Sequence, residues 1–491
     1  MAWYGLGLDE IDLSTATDLA SLYDQVAERA RTFPSTRSSS AAGTTTPGSA
    51  AIPTGTHLDR VAGDRPVWLK HRSGHSCAVN SAVLRRTGVL DGSATIPTGG
   101  VVVLDPNGDP IGVLEEQAQN LVVALVVPYP IDTLRTAIGR ASAVFAAEGL
   151  THVTEAGIGA GWIGKSPVEL AGYQRARNSG DLAVRAQLMP TVDALHPVEG
   201  HADDGIGFGL DLGLGTGFGD DMLRLGPMKI WLDGSLLGRT AAMDEPFCDR
   251  DGRGYFQDDP ELMRQRVLDA HRTGWRVAAH AVGDRAIDFA LDVFAEAQRR
   301  SPRPDVRHRI EHAAVTRPEQ IARMAALKLT PVPQPSFLYE LGDTMAAAVG
   351  RARADQLHRQ ASFLRAGLRV PGSSDRPVAA GAPLLGIQSM VQRLTDTGAL
   401  LGADERVDIA TALRAYTVDT AWIAGEEHQR GSLRPGKLAD FVLLGDDITT
   451  VATERIGTTQ VIATFLGGRC TYRPDATIPG LDPTHPRTPG D

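Results

Sequence analysis

Three strand-like runs each close on a residue able to hold a metal ion or move a proton. Trp275-Arg276-Val277-Ala278-Ala279-His280 is mostly apolar and ends in histidine, with Gly283-Asp284 just beyond. Arg307-His308-Arg309-Ile310-Glu311-His312 closes on a second histidine, and Leu368-Arg369-Val370-Pro371-Gly372-Ser373-Ser374-Asp375 closes on an aspartate. Neutral imidazole supplies a nitrogen lone pair; carboxylate supplies a charged ligand or a proton acceptor. In a barrel of parallel strands the chain ends of the strands converge on one face, which carries the chemistry. His280, His312 and Asp375 could therefore meet at one divalent metal.

Each of these residues also has a plainer reading. A lone histidine at a strand end is more often a surface or hydrogen-bonded residue than a ligand; two in series before a strand-end aspartate favour the ligand. Lys229 alone is an ordinary strand lysine. Asp233-Gly234-Ser235 and Arg239 fit either a tight turn after a strand or a substrate-binding loop lining the pocket. Glu311 is expected to point away from the metal, because adjacent strand residues face opposite sides. His308, four residues before His312, is expected on the same side of the barrel but deeper.

Elements able to position these groups recur after residue 140, where short β-like runs alternate with helical patterns. The runs are Leu150 to Glu155, Ala183 to Pro190, Pro227 to Asp233, Arg276 to His280, Arg307 to His312, Leu329 to Gln334 and Arg369 to Asp375. Helix-like stretches lie between them, as at Asp259 to Thr273 and Arg285 to Arg300, the latter with Ile287, Phe289, Leu291, Val293 and Phe294 on a helical period. This rhythm predicts an α/β fold, a (β/α)8 TIM-type barrel with seven of its eight strands evident. Residues 55–130 depart from the rhythm and predict an inserted α+β subdomain. Residues 36–52 are rich in Ser, Thr, Ala, Gly and Pro, and predict a loose loop. Asp440 to Leu444 and Val461 to Phe465, with a turn at Gly467-Gly468, predict one side of a small β-sandwich. The expected division is 1–54 as an N-terminal remnant and loop, 55–130 as the insertion, 131–425 as the barrel, 426–475 as sandwich strands and 476–491 as a tail.

The chain of 491 residues has 42% hydrophobic content, which suits a large barrel with a satellite. Its formal charge of −10 lacks the basic footprint of a nucleic-acid partner. No apolar run is long enough for a membrane span, and the start does not resemble a signal peptide. Cys77, Cys248 and Cys470 lie far apart, as expected of reduced thiols in a cytoplasmic protein. A small-molecule substrate is the expected partner, with a homodimer left open.

From about Leu13 to Tyr472 the chain resembles the metal-dependent amidohydrolase superfamily, in the branch of the N-substituted formamide deformylases. The segments that carry the likeness are Gly226 to Ser235, His280 to Asp284, Arg309 to Ala313, Gly372 to Pro377, and Gly431 to Asp440. This resemblance implies a divalent metal cofactor, Zn2+ first among candidates, as one ion or two. It implies that Lys229 is carboxylated and bridges two ions, that His280 and His312 ligate one, and that Asp375 ligates the other. Asp375 would also take a proton from the attacking water and pass it to the leaving amine. His75 and Asn80 match a family motif in the inserted subdomain and would bind substrate, or else form a structural turn.

One family motif, His-x-His at the end of the first barrel strand, is absent. Met1 aligns just past that strand, so the barrel is expected to lack it and to stay open at two edges. One metal position would keep only Lys229 and Asp375; the other would keep Lys229, His280 and His312, a workable hydrolytic zinc arrangement. Two function classes follow: a hydrolase of carbon–nitrogen bonds in small amides or N-substituted formamides, and a catalytically silent or truncated scaffold.

Overall fold

The computed structural model describes residues 1–13, 15–32, 39–44, 53–71, 76–97, 100–159, 163–204 and 206–474. They form two compact units, Met1–Arg140 and Ala141–Asp491. The first contains a six-stranded sheet of β1 (Ile11–Asp12), β2 (Ser39–Thr44), β3 (Val67–His71), β4 (Ser76–Val79), β5 (Gly100–Leu104) and β6 (Pro110–Glu116). Its strand order is β1-β2-β3-β4-β6-β5. Alternation along β3 and β4 buries both faces: Val67, Leu69 and Ala78 pack with Leu13, Leu22, Val26 and Leu58, while Cys77 and Val79 pack with Val83, Leu84 and Leu114.

Two sequence expectations change here. Ser39–Thr44, read as part of a loose loop, is a strand paired in parallel with β1 and β3. Backbone pairing on both sides supplies hydrogen bonds that a side-chain pattern does not reveal. Residues 1–54 and 55–130 thereby share one sheet instead of forming separate segments. The rest of the 36–52 loop, and the 476–491 tail, lie outside the described residues.

In the second unit the strands that bear on the site are β7 (His152–Ile158), β8 (Arg185–Pro190), β11 (Leu223–Leu225), β12 (Met228–Trp231), β13 (Val277–Ala281), β14 (Arg309–His312) and β15 (Thr330–Val332); β9 (His196–Pro197) and β10 (Phe208–Gly209) form a minor hairpin. β7, β8 and β11 make one parallel sheet, and β12 to β15 make another in sequence order. A parallel bridge between Thr191 and Lys229 joins them, so β11 and β12 act as one strand interrupted at Gly226-Pro227. The result is a TIM-barrel-like arc of parallel strands with helices Pro260–Arg272, Asp284–Arg300 and Pro318–Ala326 in its crossovers. Its helix-facing core is built by Ile230, Val277, Ala279, Ala281 and Ile310 against Val267, Ile287, Ala290, Leu291 and Phe294.

The arc does not close among the described residues. The seventh expected strand, Arg369 to Asp375, joins no ladder. Pro371 lacks the N–H that a ladder needs, and Asp375 adopts a left-handed φ of 56° that ends any extended run. The C-terminal strands β16 (Phe441–Leu444), β17 (Val461–Leu466) and β18 (Arg469–Tyr472) form one three-stranded antiparallel sheet. Phe441 stacks on Phe465 there, and Arg185 of β8 reaches Asp440 at 2.7 and 2.9 Å. No helix among the described residues is long and apolar enough to cross a membrane.

Candidate active site

Alternation along the strands decides which side chains face the interior of the arc. Ile230, Ala279 and Ile310 belong to the helix-facing core, so Lys229, Trp231, His280, Arg309 and Glu311 lie on the opposite face. In register, Lys229 pairs Ala278 and Trp231 pairs His280, while Glu311 pairs His280 from the other side. The same alternation would send His312 outward with Ile310. Its φ of 72°, followed by 43° at Ala313, breaks the extended geometry. The His312 ring therefore meets the His280 ring edge-on, with centroids 4.5 Å apart.

Glu311 thus faces the site, against expectation, because the strand alternates up to Glu311 and breaks only at His312. Arg309 holds it through paired contacts of 2.6 and 3.0 Å. His308 departs from expectation in the other direction, since it lies in the layer between strands and helices, stacked on Phe294. Its Nδ1 accepts from the Val277 N–H at 2.9 Å, and its Nε2 lies 2.8 Å from Nδ1 of His271. His271 in turn reaches the Ser301 carbonyl at 2.7 Å. That chain admits one proton arrangement: Nε2–H of each ring donates, and both rings stay neutral.

Electrostatics tie the interior groups together. Burial lowers Lys229, opposed by the charges of Glu311 and Asp375. Burial raises the Asp375 carboxyl to about 6; Lys229 opposes this, and Glu311 and Glu155 add to it. His280 is held down to about 3 by burial and then by Lys229, and His312 lies well below the usual range, through burial and then His280. Both imidazoles are therefore neutral, the form that ligates metal. Nε2 of His280 is 2.9 Å from the Gly234 carbonyl, which leaves Nδ1 as its lone pair. This donor chemistry fits a divalent ion. Among the described residues no three His, Cys, Asp or Glu side chains are grouped so as to hold one by themselves. An ion here would draw on Lys229 as a further donor.

Of the remaining expected site residues, Asp233, Arg239 and Asn80 are engaged with the backbone. The Asp233 carboxylate accepts from the amides of Val282, Gly283 and Ala242 at 2.8–3.0 Å. Arg239, at a φ of 57°, contacts Asp249 at 2.8 and 3.1 Å and donates to the Leu236 and Leu237 carbonyls. Asn80, in the first unit, is fully buried; it accepts from Val67 N and donates to the Gly63 and Arg65 carbonyls. For these three the turn geometry is what the structure displays. His75 lies outside the described residues.

Sequence reading missed Glu155, Arg309 and Gln334. Glu155 had a usable signal, an acidic residue closing a run already read as a strand. Gln334 follows β15; its Nε2 donates to the Val332 carbonyl at 2.7 Å, and its side chain also acts on His312. Its only sequence signal was its place at the end of the run Leu329 to Gln334, since a neutral amide does not mark a metal or proton-transfer site.

Comparison with known proteins agrees with this architecture. An amidohydrolase family model matches residues 1–472, and the chain belongs to that family of hydrolases. It is 30% identical over 432 residues to the N-substituted formamide deformylase of Arthrobacter pascens, covering 86% of this chain and 76% of the relative. The putative amidohydrolase YtcJ of Bacillus subtilis (strain 168) is 29% identical over 422 residues, 84% of this chain and 75% of its own length. Protein LONG AFTER FAR-RED 3 of Arabidopsis thaliana is 30% identical over 431 residues, 86% and 71%. Among solved structures, a metal-dependent hydrolase from Pyrococcus horikoshii OT3 superposes with a TM-score of 0.74 at 23% identity, covering 93% of this chain and 85% of its own. That likeness shows the shared fold.

Proposed function

We propose that this chain is a metal-dependent hydrolase of carbon–nitrogen bonds in small amides or N-substituted formamides. The observation that carries the reading is the pair of neutral imidazoles, His280 and His312, set 4.5 Å apart at neighbouring strand ends beside Lys229 and Asp375. Membership in the amidohydrolase family and the likeness to a formamide deformylase support the substrate class.

Lys229, His280 and His312 would hold a divalent ion, with Zn2+ the first candidate, and Asp375 faces the same space. A bound ion would acidify water and polarise the substrate carbonyl. Burial favours the neutral amine of Lys229, the form able to add CO2 and become a carbamate, with loss of a proton to solvent. Asp375 takes the proton from the attacking water and delivers it to the departing amine nitrogen. Arg309 fixes the Glu311 carboxylate, and Glu311 holds negative charge toward Lys229 and Asp375.

The test is metal content by elemental analysis, together with turnover on a panel of N-substituted formamides and simple amides. About one ion per chain and cleavage of panel members is the expected result. Protein that binds an ion but cleaves none of the panel removes the proposed substrate class. Protein that binds no ion removes the reading altogether and leaves a silent scaffold.

A further inference from the structure

Asp233 has the sequence context of a substrate-binding residue, but its carboxylate is committed to the protein. It lies just past β12, and its side chain has no solvent exposure. Oδ1 accepts from the Val282 amide at 3.0 Å; Oδ2 accepts from Gly283 at 2.8 Å and from Ala242 at 2.9 Å. These amides come from two segments, the turn that follows His280 and the loop that follows Asp233 itself. The segments touch: a Cβ on Gly283 would lie 2.0 Å from the Ala242 carbonyl oxygen. Only glycine permits that approach, which brings all three donors onto one carboxylate.

One further group lies close to this carboxylate, at the limit of hydrogen-bond reach. Nε2 of His280 is 3.5 Å from Asp233 Oδ1 and 2.9 Å from the carbonyl of Gly234, the next residue along. Both neighbours are acceptors, so Nε2 carries the proton and Nδ1 is left bare. The Asp233-Gly234 pair backs one side of the ring, and the Val282-Gly283 turn anchored on Asp233 leads directly from it. Resting on the metal-site reading above, we propose that Asp233 is a positioning residue: by anchoring the loop that carries the Gly234 carbonyl and the turn that follows His280, it holds in place the acceptor that fixes the His280 tautomer and so presents Nδ1 for a metal ion. Outer hydrogen-bond partners of this kind orient ligating imidazoles and raise their basicity.

The experiment has two arms. In metal-free wild-type protein labelled with 15N-histidine, the His280 signal, assigned by its loss in His280→Ala, should show Nε2 protonated and Nδ1 bare. A proton on Nδ1 would overturn the proposal, with no variant needed. In the second arm, Co2+ affinity is measured by competition with a chelator for wild type, Asp233→Asn, His280→Ala and the double variant. The amide cannot accept from all three backbone N–H groups, so Asp233→Asn should bind Co2+ about 10–100-fold more weakly and show a mixed His280 tautomer. Adding Asp233→Asn to His280→Ala should cost no further affinity.

A merely structural role would lower the melting temperature while leaving the tautomer and the Co2+ affinity unchanged; that result overturns the assignment. If the asparagine variant does not fold, Asp233→Glu, which keeps the charge but displaces it by one methylene, takes its place in the second arm. If wild type binds no Co2+ at all, the metal-site reading fails, whereas the tautomer spectra of wild type and variant still decide whether Asp233 positions His280.

Discussion

At the scale of single residues, the site depends on groups held in forms that water would not favour. Burial keeps His280 and His312 neutral and lifts Asp375 to about 6. Replacing either histidine with alanine should remove most of the bound metal, as read by elemental analysis, because each would supply one of three protein donors. Retention of metal by both variants would place the ion elsewhere. Asp375→Asn preserves shape but cannot accept a proton, so turnover should drop about 10²–10⁴-fold with an unchanged melting temperature. A base works when deprotonated, and Asp375 is deprotonated above about 6. Accordingly, kcat/KM should fall as pH falls through the Asp375 pKa, which a bound divalent ion would lower from the metal-free value of about 6, and a profile flat down to the pH at which the protein unfolds would exclude Asp375 as the base.

Between strands and helices, two buried polar arrangements hold the elements in place. His271 and His308 hydrogen-bond at 2.8 Å behind β13, and burial holds both below the ordinary value of 6.5. The folded chain therefore excludes protons that the unfolded chain takes up below pH 6.5. Stability should drop as pH falls from 6.5, by up to about 1.4 kcal/mol per pH unit for each ring. His308→Asn removes one of the two rings, so its melting temperature should fall less steeply between pH 6.5 and 5; an unchanged slope would show that the pair does not titrate with unfolding. The second arrangement ties β8 to the strand that begins after Asp440, through Arg185. Asp440→Ala strands a buried guanidinium whose remaining carboxylate partner among the described residues is the half-exposed Asp221, with the Asp221 carbonyl and Met222 Sδ beside it. The expected loss is about 3 kcal/mol, measurable as a lower urea midpoint.

Over the whole molecule, an ion bound only by the folded chain adds to its stability. At 100 times its Kd that contribution is about 2.7 kcal/mol. Stripping the protein with a chelator should lower the melting temperature, and returning Zn2+ should restore it in a concentration-dependent way. Identical melts with and without chelator would mean that no ion binds the native state. The arc of strands from β7 to β15 makes such a contribution weighty, since it leaves two strand edges without parallel partners among the described residues.

The amino-acid sequence determined the local features: alternating strands and helices after residue 140, the helices Pro260–Arg272 and Asp284–Arg300, and histidines at the ends of β13 and β14. Apolar periodicity is a local property, so it survives in the sequence. The direction of a side chain where a strand ends is not local. Glu311 faces the interior and His312 joins it only because the backbone turns to a φ of 72°, a conformation that neighbouring segments impose. The same holds for Arg369 to Asp375, apolar like a strand but kept out of the ladder by Pro371 and the turn at Asp375. Glu155, Lys229, Glu311 and Asp375, far apart in the chain, act on one another because parallel strands carry the first three, and the turn after Pro371 carries Asp375, into mutual reach. Tertiary structure alone decided that convergence, since it depends on register and on the face each residue takes, and no short stretch of sequence holds either.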